Sequence, residues 1–148
     1  MLSEIDMSFN FACHFLNVED GSQIIKCRDL PELLSWPENG ETLEQWSRYA
    51  VMDCILFRMK DGEIIPSASK AESGEYVVRL SASVEAKIHL HNTMVEQGVS
   101  RVALSKLTGL TLPEVSRLLN INQPTKIDTV VSALNHLGKD LKFSLVSM

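Results

Sequence analysis

Apolar and polar residues alternate from Met7, with Met7, Phe9, Phe11, Cys13 and Phe15 on one side and Ser8, Asn10, Ala12 and His14 on the other. A period of two is that of a half-buried strand. Glu19-Asp20-Gly21-Ser22 is a turn cluster, and the β-branched residues of 23–28 bring the chain back, which predicts a hairpin. After Asp29-Leu30-Pro31 a third short strand runs through Leu33-Leu34-Ser35-Trp36, and Pro37 ends it or marks it as an edge. Then the period changes. Thr42-Leu43-Glu44-Gln45 has capping-box spacing, and Leu43, Trp46, Ala50, Cys54 and Phe57 follow at steps of three and four, the stripe of a helix that Asp61-Gly62 stops near Lys60. A polar loop over 66–75 leads to a fourth strand at 76–80. The order β-β-β-α-β predicts a small α+β layer pair with one helix on one face.

Beyond residue 80 the pattern is one of short helices. Ser83 is placed to cap a helix with Val84, Ile88, Met94 and Val95 inward, ended by Gly98; Ser100 caps another, ended by Gly109. Thr111-Leu112-Pro113-Glu114 is a second capping box with proline in the first turn, opening a helix that runs to about Asn120. Thr125-Lys126-Ile127-Asp128 caps a fourth helix that Gly138 closes, and Leu141, Phe143 and Leu145 return to a strand period.

The stretch RVALSKLTGLTLPEVSRLLN, residues 101–120, has the layout of a helix-turn-helix: Leu104 inward, small Ser105 at the crossing, Gly109 in the turn, and Val115, Leu118 and Leu119 behind Leu110. In that motif the second helix offers Thr111, Leu112, Pro113, Ser116 and Arg117 to the major groove. Arg117 suits guanine, Ser116 a base or a phosphate, and Leu112 a thymine methyl, while Arg101, Lys106 and Lys126 are candidates for phosphate contacts.

Charge sharpens the division. The chain of 148 residues carries a net −5, but residues 1–80 hold fourteen acidic against seven basic residues, and residues 81–148 hold five against seven. From Val99 to Lys126 four basic residues face Glu114 alone, the sign that suits a polyanion. Composition is otherwise ordinary, and neither a membrane span nor a signal peptide is legible, so a soluble, cytoplasmic protein is expected. Cys13, Cys27 and Cys54 lack zinc or disulfide spacing and read as reduced core thiols.

With both halves in view the chain resembles the HicB family of antitoxins from type II toxin–antitoxin operons, in the version with a C-terminal helix-turn-helix. The resemblance rests on EDGSQIIKCRDLPELLSWPENGETLEQW, on DGEIIPSAS, and most specifically on TLPEVSRLLNINQPTKIDTVVSALNHLGKDLKFSLV. Where the family usually has Gly-Gly-Tyr in the first hairpin and Gly after D-L-P, this chain has Gly21-Ser22-Gln23 and Glu32, so its toxin-binding surface is not carried over residue by residue. The resemblance implies a truncated ribonuclease-H-like domain over 1–80 and a helix-turn-helix DNA-binding and dimerisation domain with a terminal β-strand over 81–148. It implies a protein that neutralises a small mRNA-cleaving HicA-type toxin and represses its own operon by binding operator DNA as a homodimer or homotetramer, with no cofactor or metal.

Blander readings stand beside these. A stand-alone repressor whose front domain binds a ligand or only dimerises is the alternative. A metal-dependent nuclease would draw on Asp6, Glu19, Asp20, Asp29 and Asp53, for which solvated carboxylates are the simpler account, because fold does not imply function. His14, His89, His91 and His136 have no metal-ligand spacing beyond His89-x-His91, whose members point to different faces of a helix. The capping box accounts for Glu114 without DNA. Trp46 reads as core, and Trp36, before a proline, stays open between core and interface anchor.

Overall fold

The computed structural model describes residues 8–147; Met7 of the predicted first strand and Asp6 lie outside them. Among the described residues the chain is α+β, with a three-stranded antiparallel sheet and five helices, and it divides into two compact units, one through Ser81 and one from Ala82. Among the described residues no helix is long and apolar enough to cross a membrane.

In the first unit β1 (Ala12–Asn17) is central, flanked by β2 (Gln23–Cys27) and β3 (Tyr76–Val77). Register sets Cys13 opposite Cys27 on one side and opposite Tyr76 on the other. The β1–β2 turn is closed by Asp20, whose Oδ1 accepts from the Ser22 amide at 2.9 Å, and by Gly21 at φ +84, a left-handed conformation that a side chain would strain. Helix α1 (Leu43–Lys60) opens with the expected capping box: Thr42 Oγ1 accepts from the Gln45 amide and Gln45 Oε1 from the Thr42 amide, both at 3.1 Å. Phe9, Phe11, Cys13, Ile25, Trp46, Val51 and Ile55 form the interior.

In this unit four details differ from the sequence reading. The first strand is assigned only from Ala12, where β2 and β3 supply partners, although Phe9 and Phe11 are buried as the alternation predicts. The third strand shrinks to one bridge, Ile25 with Ser35, and Pro37, without an N–H, cannot extend it. The fourth strand keeps two residues; beyond it the Val78 amide donates to the Phe11 carbonyl, but the Leu80 amide is taken by the Asn10 side chain. The buried face of α1 runs through Trp46, Ser47, Ala50, Val51, Cys54, Ile55 and Met59, leaving Leu43 and Phe57 exposed.

Long-range polar ties join the motif blocks. Asp29 accepts from the Ser69 amide and hydroxyl at 2.7 and 2.6 Å, and Arg28 forks onto Glu75 at 2.9 and 2.7 Å. Glu32 receives the Arg58 guanidinium through Nε and Nη2 and the Cys54 thiol at 3.0 Å. The Arg58 fork holds the Glu32 carboxyl down at about 2. Because its folded value lies below the ordinary 4.5, Glu32 contributes stability that is present above 4.5 and lost as pH falls toward about 2. The carboxylate is half exposed, which limits the contribution to about 1 kcal/mol. In acid titration followed by circular dichroism, Glu32→Gln is expected to lie below wild type at neutral pH and to converge with it by pH 2.

In the second unit α2 (Ala82–Gln97) packs on α5 (Ile127–His136), and α3 (Arg101–Thr108) on α4 (Leu112–Leu118) and α5. Leu90, Leu104, Val115, Leu118, Val130 and Leu134 centre this core. Helix α2 starts at Ala82, ahead of the expected Ser83 cap, and α4 stops at Leu118 rather than Asn120. The N-cap of α5 is Lys126, whose side chain has no acceptor to offer, so the expected side-chain cap there is absent. The expected terminal strand is also not formed: residues 141–147 carry no strand pairing, and Phe143, Leu145 and Val146 are exposed.

Candidate nucleic-acid interface

The α3–α4 pair is fixed by local chemistry at both ends of its turn. Ser100 caps α3 through the Ala103 amide at 3.0 Å, and Gly109 ends it at φ +77, with its amide on the Ser105 carbonyl. The Ser105 hydroxyl donates to the Leu110 carbonyl, and the Leu110 amide reaches Thr108 Oγ1 at 3.2 Å, so the three-residue turn has few torsions left to vary. Thr111 then caps α4: its Oγ1 accepts from the Glu114 amide at 3.3 Å, and Glu114 Oε2 accepts from the Thr111 amide at 2.8 Å.

Val115 and Leu118 are buried at one face of α4, as is Leu119 just past its end, and Pro113, Ser116 and Arg117 are therefore turned outward on the opposite one. Leu112 flanks them, half exposed. Arg101 joins this group across the helix pair, donating through Nη1 to Ser116 Oγ at 3.1 Å. All eight residues singled out from the sequence, Arg101, Lys106, Thr111, Leu112, Pro113, Ser116, Arg117 and Lys126, are exposed. They are not one cluster. Lys106 sits in the last turn of α3, where its charge also suits the helix C-terminus, and Lys126 is the N-cap residue of α5. A shallow crease of about 190 Å³ beside Arg117 is lined on its other side by Pro124, Thr125 and Thr129.

The residue that sequence reasoning missed is Lys87. Fully buried in α2, its Nζ donates to the carbonyls of Arg117, Asn120 and Gln123 at 3.0, 2.9 and 2.6 Å. It ties the C-terminal end of α4 and the turn after it, where carbonyls lack helical partners. Burial pushes its pKa below the usual lysine value, while the three carbonyls favour the ammonium. The signal was present as a lysine set between Val84 and Ile88 and the apolar residues beyond, but a long side chain that snorkels to solvent reads the same way.

Of the carboxylates a nuclease would need, Asp29 is taken by Ser69 and Asp20 by Ser22. Among the described residues no three His, Cys, Asp or Glu side chains gather as a metal site. Burial lowers the pKa of His89, and His136 Nδ1 lies 2.8 Å from the Ser132 carbonyl. Cys13, Cys27 and Cys54 are free and buried.

Comparison with known proteins adds to this geometry. A family model described as HicB_like antitoxin of bacterial toxin-antitoxin system matches residues 10–89. The chain is 35% identical over 114 residues to Antitoxin HicB 2 of Photorhabdus laumondii, covering 77% of this chain and 81% of that one. It is 34% identical over 131 residues to Antitoxin HicB of Pseudomonas fluorescens, covering 86% and 88%, and 28% identical over 127 residues to Antitoxin HicB of Escherichia coli K12, covering 86% and 92%.

Proposed function

This chain belongs to the HicB-like antitoxin family of bacterial toxin–antitoxin systems, and on that footing we propose that it is a non-enzymatic, cytoplasmic regulator with two activities. The first unit binds and neutralises a small mRNA-cleaving HicA-type toxin. The second unit is a helix-turn-helix domain that represses the chain's own operon, with α4 in the major groove of operator DNA.

The observation that carries this reading is that opposite charges fall on units with separate cores. Residues 1–80 carry −7, which favours a toxin that handles RNA and is therefore basic. Residues 99–126 carry +3, and their outward α4 side chains include Arg117 for base edges and Ser116 for a base or phosphate. Arg101, Lys106 and Lys126 are placed to hold phosphates, and Thr111, Leu112 and Pro113 to lie along the groove. A chain truncated after Ser81 retains the sheet and α1 core and is expected to capture the toxin in a pull-down, with association slowed by salt. Capture by residues 82–148 instead would reverse the assignment.

Operator half-sites come in pairs, so a homodimer or homotetramer is expected. Residues 141–147 offer an apolar, unpaired segment, with Phe143 65% exposed and Leu145 fully so, that pairs as a strand with its counterpart in a second copy. Deleting 141–148 is expected to lower the mass measured by solution scattering; an unchanged mass puts the seam elsewhere.

A further inference from the structure

The solvent side of α1 carries Tyr49, Asp53 and Phe57 at successive steps of four, and beside it Leu34 and Trp36 point outward from the segment before Pro37. Four of these are large apolar side chains left in water: Leu34 is 49% exposed, Tyr49 51%, Trp36 56% and Phe57 70%. Two clefts lie along them, of about 330 and 360 Å³, and they adjoin as one grooved face, sharing Ser35, Ala50 and Asp53 as walls. Its floor is set by Trp46, buried and held by its indole N–H on Ser35 Oγ at 3.1 Å. The groove is acid-rimmed. Glu32, Glu38, Glu41 and Asp53 line it and no lysine or arginine does. Arg58 neutralises Glu32, while Glu38, Glu41 and Asp53 keep their negative charge, Glu41 accepting from the Glu38 amide at 2.9 Å.

We propose that this groove, with Trp36, Tyr49 and Phe57 as anchors, is the seat of the toxin and takes a cationic surface of that protein. The proposal rests on the toxin-binding reading above and adds the residues that perform it. Exposed aromatics grouped in a cleft are the side chains that carry most interface energy once a partner dries them. The carboxylates decide which partner. Nucleic acid and an anionic membrane are repelled by Glu38, Glu41 and Asp53, and a second copy of the unit brings the same −7 charge. A basic protein surface meets both features, with lysine or arginine stems lying over the aromatic rings.

The test uses the full chain and a purified HicA-type toxin, the partner proposed above, with affinity and association rate measured at two salt concentrations. Trp36→Ala and Phe57→Ala are each expected to weaken binding about tenfold or more, and Asp53→Lys to slow association and flatten its salt dependence. Ile64→Ala, which removes an exposed apolar residue outside the groove, is expected to bind as wild type. Circular dichroism checks the fold, and Tyr49→Ala with Asp53→Asn replaces any variant that does not fold. Wild-type binding left unchanged by every groove variant would overturn the proposal and leave the antitoxin reading standing. A folded wild-type chain that does not bind toxin would overturn the antitoxin reading and the groove with it.

Discussion

Lys87→Met is expected to lower the melting temperature of the second unit by about 10 °C, the shift that about 2 kcal/mol produces in a domain of this size. Methionine keeps most of the stem in its apolar surroundings and removes only the ammonium, so the loss reports the three charge-assisted bonds to the carbonyls of Arg117, Asn120 and Gln123. Releasing a buried charge from its desolvation cost offsets part of this, but the carbonyls stay behind with fewer donors. A small unit has little stability in reserve. The end of α4 is expected to loosen first, seen as faster hydrogen exchange at Leu118 and Leu119 than at Leu90. An unchanged melting temperature would mean that water replaces the ammonium at no cost.

Arg117→Ala is expected to abolish repression of the operon while toxin neutralisation survives. Its side chain is exposed on the outward face of α4, and the carbonyl that Lys87 holds belongs to the backbone, so alanine leaves the scaffold intact. Losing a bidentate contact to guanine costs about 1–3 kcal/mol in each half-site, and lysine, without the planar fork, is expected not to restore it. Lys126→Ala is expected to weaken all sequences alike and to reduce the salt slope by about one, as a phosphate contact does. An operator reporter and growth under induced toxin, measured in one strain, separate the cases. Intact repression in Arg117→Ala would mean that α4 is aimed differently.

Local rules carried the sequence reading furthest where they act alone. The capping boxes at Thr42 and Thr111, the turn at Gly21 and the helix end at Gly109 each depend on a few adjacent residues, and each forms where the spacing predicts. Strands were less legible, because pairing needs an edge that the alternation does not encode: residues 33–36 and 76–80 have strand composition but few ladder partners. On α1 the apolar stripe drawn through Leu43 and Phe57 ignored the serine at 47, which is buried with its hydroxyl on the Glu44 carbonyl, and so misplaced both ends of the buried face. Glu32, where the resembling family has glycine, is explained by Arg58, twenty-six residues on, and no local pattern links the two. The outward residues of α4 were legible because two short-range rules, cap and helical period, together set which side of the helix is buried. Lys87 was not, since its three acceptors lie thirty residues and more downstream.

Growth after induction of the HicA-type toxin proposed as partner, with and without co-expression of the full chain, tests the antitoxin reading most directly. Rescue of growth by the wild-type chain, together with recovery of the two proteins as a complex, is the predicted result. A folded, soluble chain that neither restores growth nor binds the toxin would contradict it.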